Sequence, residues 1–158
     1  MTKNFELREL LEDDHFVVRQ VYQDSIESQG HLFYSKDQIQ AWSSLAFLPG
    51  VLDRSLHEGK GWVSCQDKRI EAFAVRYPMN RLALLYCRGR SSRLGHATRL
   101  LDLVEREALH EQHIKLITEA SLFSCPLLLC RGWLIQSKQT IQIADIEFDR
   151  YLMEKKLS

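Results

Sequence analysis

Long apolar runs are missing from this chain. None approaches the ~20 consecutive apolar residues that a bilayer-spanning helix requires, so no membrane span is expected. An excess of one charge is missing too. With 21 basic and 21 acidic residues the formal net charge is zero, which argues against a general nucleic-acid binder with its basic surplus. Cysteine pairs of the C-x-x-C kind are absent. Cys65, Cys87, Cys125 and Cys130 sit at irregular spacing in apolar surroundings and are expected to be buried, reduced thiols, with no metal site. His110 and His113 can share a helix face, but no further ligands accompany them. Neither G-x-x-x-x-G-K-[ST] nor G-x-G-x-x-G followed by an acidic residue occurs, which excludes the two common nucleotide-binding motifs. The opening residues 1–6 lack an apolar leader core, so a cytoplasmic location is the expectation.

What is there amounts to one ordinary domain. The 158 residues, 45% apolar and 27% charged, are enough for a substantial core and are expected to form a single unit over 1–158. Phe5–Leu10 alternates and predicts a first strand. Phe16, Val17, Val21, Tyr22 and Ile26 form a helical stripe after an acidic start. Ser35 is placed as the N-cap of a second helix, with Gln38 as its capping-box partner, and a third short helix is expected over Val51–His57. Residues 62–65 and 70–77 flank a polar turn at Asp67-Lys68 and predict a hairpin. A strand over 81–87, a long helix, a strand over 114–120 and a short apolar helix ending at Gly132 follow. The last two strands are expected to begin at Trp133 and at Ile141. The order β-α-α-α-β-β-β-α-β-α-β-β predicts a mixed α+β fold with helices on both sheet faces.

The most informative segment lies between the strand ending at Cys87 and the helix that follows. The turn Arg88-Gly89-Arg90-Ser91-Ser92-Arg93-Leu94-Gly95-His96-Ala97 is basic and ends in small residues. A helix N-terminus leaves four backbone N–H groups without intrahelical partners and carries about half a positive charge. Small residues at Gly95 and Ala97 would let a phosphate approach those amides, with Arg88, Arg90, Arg93 and Arg99 nearby. Two roles stand side by side: a pyrophosphate cradle, or an ordinary helix start with solvated arginines.

The order of elements and this turn resemble the GCN5-related N-acetyltransferase superfamily over nearly the whole chain. Members carry [QR]-x-x-G-x-[GA] at the turn, and Ser92-Arg93-Leu94-Gly95-His96-Ala97 matches in the small residues, with Ser92 in the first position. The run from Ser121 to Gly132-Trp133 is similar to a second signature of the family, except that its Phe-Tyr pair is Leu127-Leu128 here. Tyr34-Ser35-x-x-Gln38-x-x-Ala41-Trp42 is similar to a bacterial subgroup.

The resemblance implies a central, mostly antiparallel seven-stranded sheet whose fourth and fifth strands splay apart. Acetyl-CoA would lie in that gap as co-substrate, its pantetheine arm pairing with the backbone of Leu85 and Cys87. Its pyrophosphate would sit on the amides of Arg93, Leu94, Gly95, His96, Ala97 and Thr98, with Arg88 and Arg93 adding charge, and Ser121 and Ser124 are further cofactor-binding candidates. An acceptor amine would attack the thioester directly, a backbone N–H near Cys87 stabilising the oxyanion. Glu119 is the first candidate base, with Tyr86 and Glu71 as alternatives. His31, Phe33, Tyr34, Trp42 and Tyr77 are expected around the acceptor, a small-molecule amine. No nucleic-acid or membrane partner is implied, and a homodimer is common among such proteins. Leu128 replaces the tyrosine that protonates the leaving thiolate. That leaves open a catalytically weak acyl-CoA-binding or protein-interaction domain.

Overall fold

A computed structural model describes residues 4–158; Met1–Lys3, part of the segment expected to lack a leader, lie outside the described residues. Four strands form an antiparallel sheet in sequence order, β1 (Phe5–Glu9), β2 (Lys60–Gln66), β3 (Arg69–Arg76) and β4 (Leu82–Cys87). Three more, β5 (Lys115–Ala120), β6 (Leu134–Ile143) and β7 (Ile146–Lys156), form a second sheet in the order β5-β7-β6. The helices are α1 (His15–Gln29), α2 (Lys36–Ser43), α3 (Asp53–Glu58), α4 (His96–His110) and α5 (Cys125–Cys130). This is the expected mixed α+β architecture, with the two sheets meeting at β4 and β5.

Strand alternation decides which helix each face receives. Phe73 and Val75 of β3 point to α1, joining Val18, Val21, Tyr22 and Ile26. Ala72 and Ala74 point the other way, and their small side chains admit α4 through Leu100, Leu101, Val104 and Ala108. Ser35 caps α2 as expected, its Oγ accepting from the Gln38 amide at 3.2 Å while Gln38 Oε1 accepts from the Ser35 amide at 2.8 Å. Cys65, Cys87 and Cys125 are buried, but Cys130 is exposed. The inward stripe of α5 is Cys125 and Leu128, three apart, and that spacing turns Cys130 outward.

One strand boundary departs from expectation. Ile141–Ile143 end β6 rather than begin β7, and the hairpin turns at Ala144 and Asp145, both at positive φ. Two left-handed residues make a turn matched to strand twist, but that turn favours Asn-Gly, and alanine disguises it.

Two carboxylates tie down the first sheet. Asp14 accepts a bidentate pair from Arg8, at 2.7 and 3.0 Å, which holds it below the usual carboxylate range. Burial pushes Glu71 up, but hydrogen bonds from Arg90 and Ser91 outweigh it and leave the group lowered. A lowered carboxylate contributes stability above its unfolded value and loses it as pH falls through its folded value. Thermal stability should therefore decline below about pH 4, and Glu71→Gln should make that decline shallower. A melting series from neutral to acid pH on both proteins checks this.

Candidate functional site

The site begins where two strands stop pairing. Arg81 and Ile117 form one parallel bridge between the sheets, supported by Ile117 N–H on the Asn80 carbonyl at 3.0 Å. Thr118 then puts its hydroxyl on the Leu82 carbonyl at 2.7 Å, a side chain taking an acceptor that a neighbouring strand's amide would otherwise use. An extra residue, Ala83, sits between the β4 partners of Val75 and Arg76, a bulge that bends the strand at this point. Beyond it β4 and β5 part.

Backbone parity shows what β4 offers the gap. Arg88 donates its N–H to the Glu71 carbonyl at 2.8 Å, so by antiparallel alternation Tyr86 and Leu84 also bond toward β3. Leu85 and Cys87 consequently direct their backbone groups into the opening. The Cys87 carbonyl already accepts from Gln29 Nε2 at 2.7 Å, so of that residue only the amide is on offer. Burial pushes the Cys87 thiol up to about 12, so it stays protonated.

The turn from β4 to α4 is clamped by α1. Asp24 accepts from the Gly89 amide at 2.9 Å, and a Cβ at Gly89 would meet Ser28 Oγ at 2.3 Å, so only glycine fits. Arg93 and Gly95 are both left-handed, at φ 64° and 97°, and the Leu94 amide, expected in the cradle, donates instead to the Ser91 carbonyl at 3.4 Å. The first N–H with a partner one helical turn back is that of Arg99, on the Gly95 carbonyl. Among the described residues, a Cβ on Gly95 would find only Arg99 Cζ within 4 Å, at 3.9 Å. Ala97 and Thr98 are half-buried in the first turn of α4 and Leu94 is 37% exposed.

Several side chains expected at the cradle are engaged elsewhere. His96 is buried, its Nδ1 at 2.7 Å from Ser64 Oγ and its ring edge-on to Phe5, so only its backbone faces the turn. Arg88 Nε donates to the Ile70 carbonyl at 3.2 Å, and Arg90 pairs with Glu71. The Arg99 guanidinium lies 3.9 Å over the Phe5 ring. Arg93 is exposed at the tip.

Behind the opening lies a cavity of about 340 Å³ between β4, β5 and β7. Tyr34 and Trp42, expected around the acceptor, line it together with Tyr22, Tyr86 and Phe148. Tyr34 also closes one end, its hydroxyl accepting from Leu122 N–H at 2.9 Å and donating to the Asp149 carbonyl at 3.2 Å. Ser121 and Ser124 line the cavity at the head of α5, joined through their hydroxyls at 2.9 Å.

Other residues expected at the site lie outside this cavity or are committed elsewhere. His31 and Phe33 are exposed beyond α1, outside the lining, and Tyr77 is turned away to donate to Glu58 at 2.6 Å. Glu71 is remote from the cavity, committed to Arg90 and Ser91. Tyr86 is packed beside Tyr22 and stacked on Phe73; burial raises its hydroxyl well above the usual phenol value, so it keeps its proton and is no base. Glu119 does face the cavity, but its Oε2 accepts from Arg81 Nε at 2.7 Å, so it is an ion-paired carboxylate and not an isolated one. Leu128 is buried in the lining. Arg81 and Arg150, two charged lining residues, have no signal in the sequence, because Arg150 lies in β7 and Arg81 on the bridge just before β4, where alternation alone cannot show which face meets a cavity.

The fold recurs in solved structures. The chain superimposes with a TM-score of 0.92 on a GCN5-related N-acetyltransferase from Rhodopseudomonas palustris, at 23% identity over 99% of both chains. The chain has the GCN5-related N-acetyltransferase fold. PaiA N-acetyltransferase from Thermoplasma acidophilum in complex with coenzyme A shares this acetyltransferase fold at a TM-score of 0.75, with 16% identity over 97% of this chain and 99% of that one. YncA from Salmonella typhimurium with acetyl-CoA matches at 0.67, with 14% identity over 98% and 95%. No family model and no curated protein matches the sequence.

Proposed function

We propose that the protein transfers an acetyl group from acetyl-CoA to the primary amine of a small acceptor by direct attack. The observation that carries this reading is the opening between β4 and β5, with a cavity of about 340 Å³ behind it and the left-handed glycine turn into α4 at its mouth. The residues present fit an acyl-CoA. The Leu85 backbone and the Cys87 amide offer strand-like pairing to an extended arm, and the Gly95 turn leaves room that a bulky side chain would fill. That co-substrate would supply the thioester carbonyl; everything else is done by the chain.

An alkylammonium has a pKa near ~10 and must lose a proton before it can attack. Glu119 is the proposed acceptor of that proton. Its Oε2 is occupied by Arg81, so it is proposed to act through water and by attracting the ammonium. Glu119→Gln should lower kcat by about 10²-fold or more while leaving acetyl-CoA affinity intact, since general base assistance is worth ~10²–10⁴. Equal loss of both would remove Glu119 from this role. The Cys87 amide directed into the gap is the proposed donor to the oxyanion.

Leu128 supplies no proton to the departing thiolate. A thiol pKa of ~8.5 leaves the thiolate only ~2 kcal/mol uphill at neutral pH, so the expected enzyme is slow and not inert. The same leucine favours a second reading, an acyl-CoA-binding domain without turnover. Release of free CoA thiol from acetyl-CoA across a panel of amines separates the two. A thermal shift with release supports transfer; a shift without release supports the binding domain. No shift at millimolar acetyl-CoA refutes both.

A further inference from the structure

The chemistry of the acceptor is written on β7. Phe148 and Arg150 alternate onto the cavity face of this strand, and Glu119 of β5, opposite Leu152, shares it. The charges near the cavity are unequal in their partners. Arg81 and Glu119 neutralise each other at 2.7 Å. Asp149 lies on the opposite face, its carboxylate held by Thr140 at 3.0 Å and Lys138 at 3.3 Å. Arg150 stands apart. Its Nε donates to Gln139 Oε1 at 2.9 Å, across the strand pair, and among the described residues no carboxylate pairs with its guanidinium.

We propose that Arg150 receives the carboxylate of an amino-acid-like acceptor, whose apolar body lies against Tyr34, Trp42 and Phe148. Gln139 fixes the plane of the guanidinium from its Nε edge, which leaves the two terminal nitrogens to make the paired contacts that suit a carboxylate. A cationic group in a partly enclosed, aromatic-lined cavity is poorly screened, so an anion there interacts strongly. The Arg81–Glu119 pair lies one diagonal step along the sheet from Arg150, a separation of about 7–8 Å between side-chain origins. That span fits a zwitterion, with the carboxylate on Arg150 and the ammonium toward Glu119 and the opening. A polyamine, carrying only positive charge, would meet Arg150 as a repulsive wall. The inference deepens the acetyl-transfer reading and rests on it for the direction of the amine.

Two product-like probes differing by one carboxylate test this, N-acetyl-L-phenylalanine and N-acetylphenethylamine, titrated calorimetrically into the wild type, Arg150→Lys and Arg150→Gln. The wild type should prefer the carboxylate probe by about tenfold or more, Arg150→Lys should keep part of that preference, and Arg150→Gln should lose it. Acetyl-CoA affinity should hold in both variants. Undetectable binding of the carboxylate probe, equal affinities in the wild type, or a preference that survives Arg150→Gln would overturn the proposal. So would a loss of acetyl-CoA binding in Arg150→Gln, which would assign Arg150 to the co-substrate. If the carboxylate preference appears and vanishes as expected but acetyl-CoA gives no thermal shift, the Arg150 site stands and acetyl transfer falls.

Discussion

Acetyl-CoA at a hundredfold excess over its Kd should raise the melting temperature by roughly 5–10 °C in the wild type and not at all in Gly95→Trp. A ligand that binds only the native state stabilises by RT ln(1 + [L]/Kd), about 2.7 kcal/mol at that excess. A domain of this size gains about 2–4 °C per kcal/mol. An indole at residue 95 would project over the head of α4, where among the described residues only Arg99 Cζ comes within 4 Å of the added Cβ. The backbone there is left-handed at φ 97°, so every substitution carries strain of about 1–3 kcal/mol regardless of its size. Gly95→Ala is the control, since it bears the same strain without the bulk. Alanine should lower the baseline melting temperature and keep most of the shift, whereas tryptophan should lower it similarly and lose the shift. An undiminished shift in Gly95→Trp would place the anion elsewhere and remove the central support for acyl-CoA binding.

How much of this was legible in the residues depends on the kind of signal each feature leaves. The capping box at Ser35 and Gln38, the glycine stop at Gly132 and the stripe along α4 are local, and local rules found them. The hairpin at Ala144-Asp145 was missed because its two left-handed residues are not the usual glycine and asparagine. The cradle could be located but not furnished. Gly95 announces an open turn, yet four arginines around it gave no sign that Arg88, Arg90 and Arg99 would turn to Ile70, Glu71 and Phe5. His96 is the clearest instance. It follows the cradle glycine in sequence, but the first turn of α4 directs its ring into the sheet against Ser64. The cavity lies between strands distant in sequence, so Tyr34 and Trp42 were accessible through their motif while Arg81 and Arg150 emerged only from strand register.

Glu111→Ala should destabilise the protein by about 3–5 kcal/mol, lowering the melting temperature by roughly 6–20 °C, although Glu111 lies far from the cavity. The reason is Arg76, whose side chain is wholly buried at the end of β3. Its Nη1 donates to the Met79 carbonyl at 2.9 Å, its guanidinium lies 5.8 Å from the centre of the Trp62 ring, and its charge is balanced by Glu111. Among the described residues its Nε has no hydrogen-bond partner, so the group already tolerates one unmet donor. Glu111 also accepts from Lys60 at 3.1 Å; burial pushes its carboxyl up, and the two cations outweigh that and hold it lowered. Truncating Glu111 leaves a guanidinium in the interior with no countercharge, and desolvation of an unpaired ion dominates every other change. Arg76→Met should cost much less, because a flexible apolar chain fills the space under Trp62 while Glu111, a third exposed, turns to water. The double variant Arg76→Met/Glu111→Ala should then be more stable than Glu111→Ala alone. Urea titrations of the four proteins measure this. If Arg76→Met proves as damaging as Glu111→Ala, the ion pair itself, and not the stranded charge, is what the fold depends on at this end of the sheet.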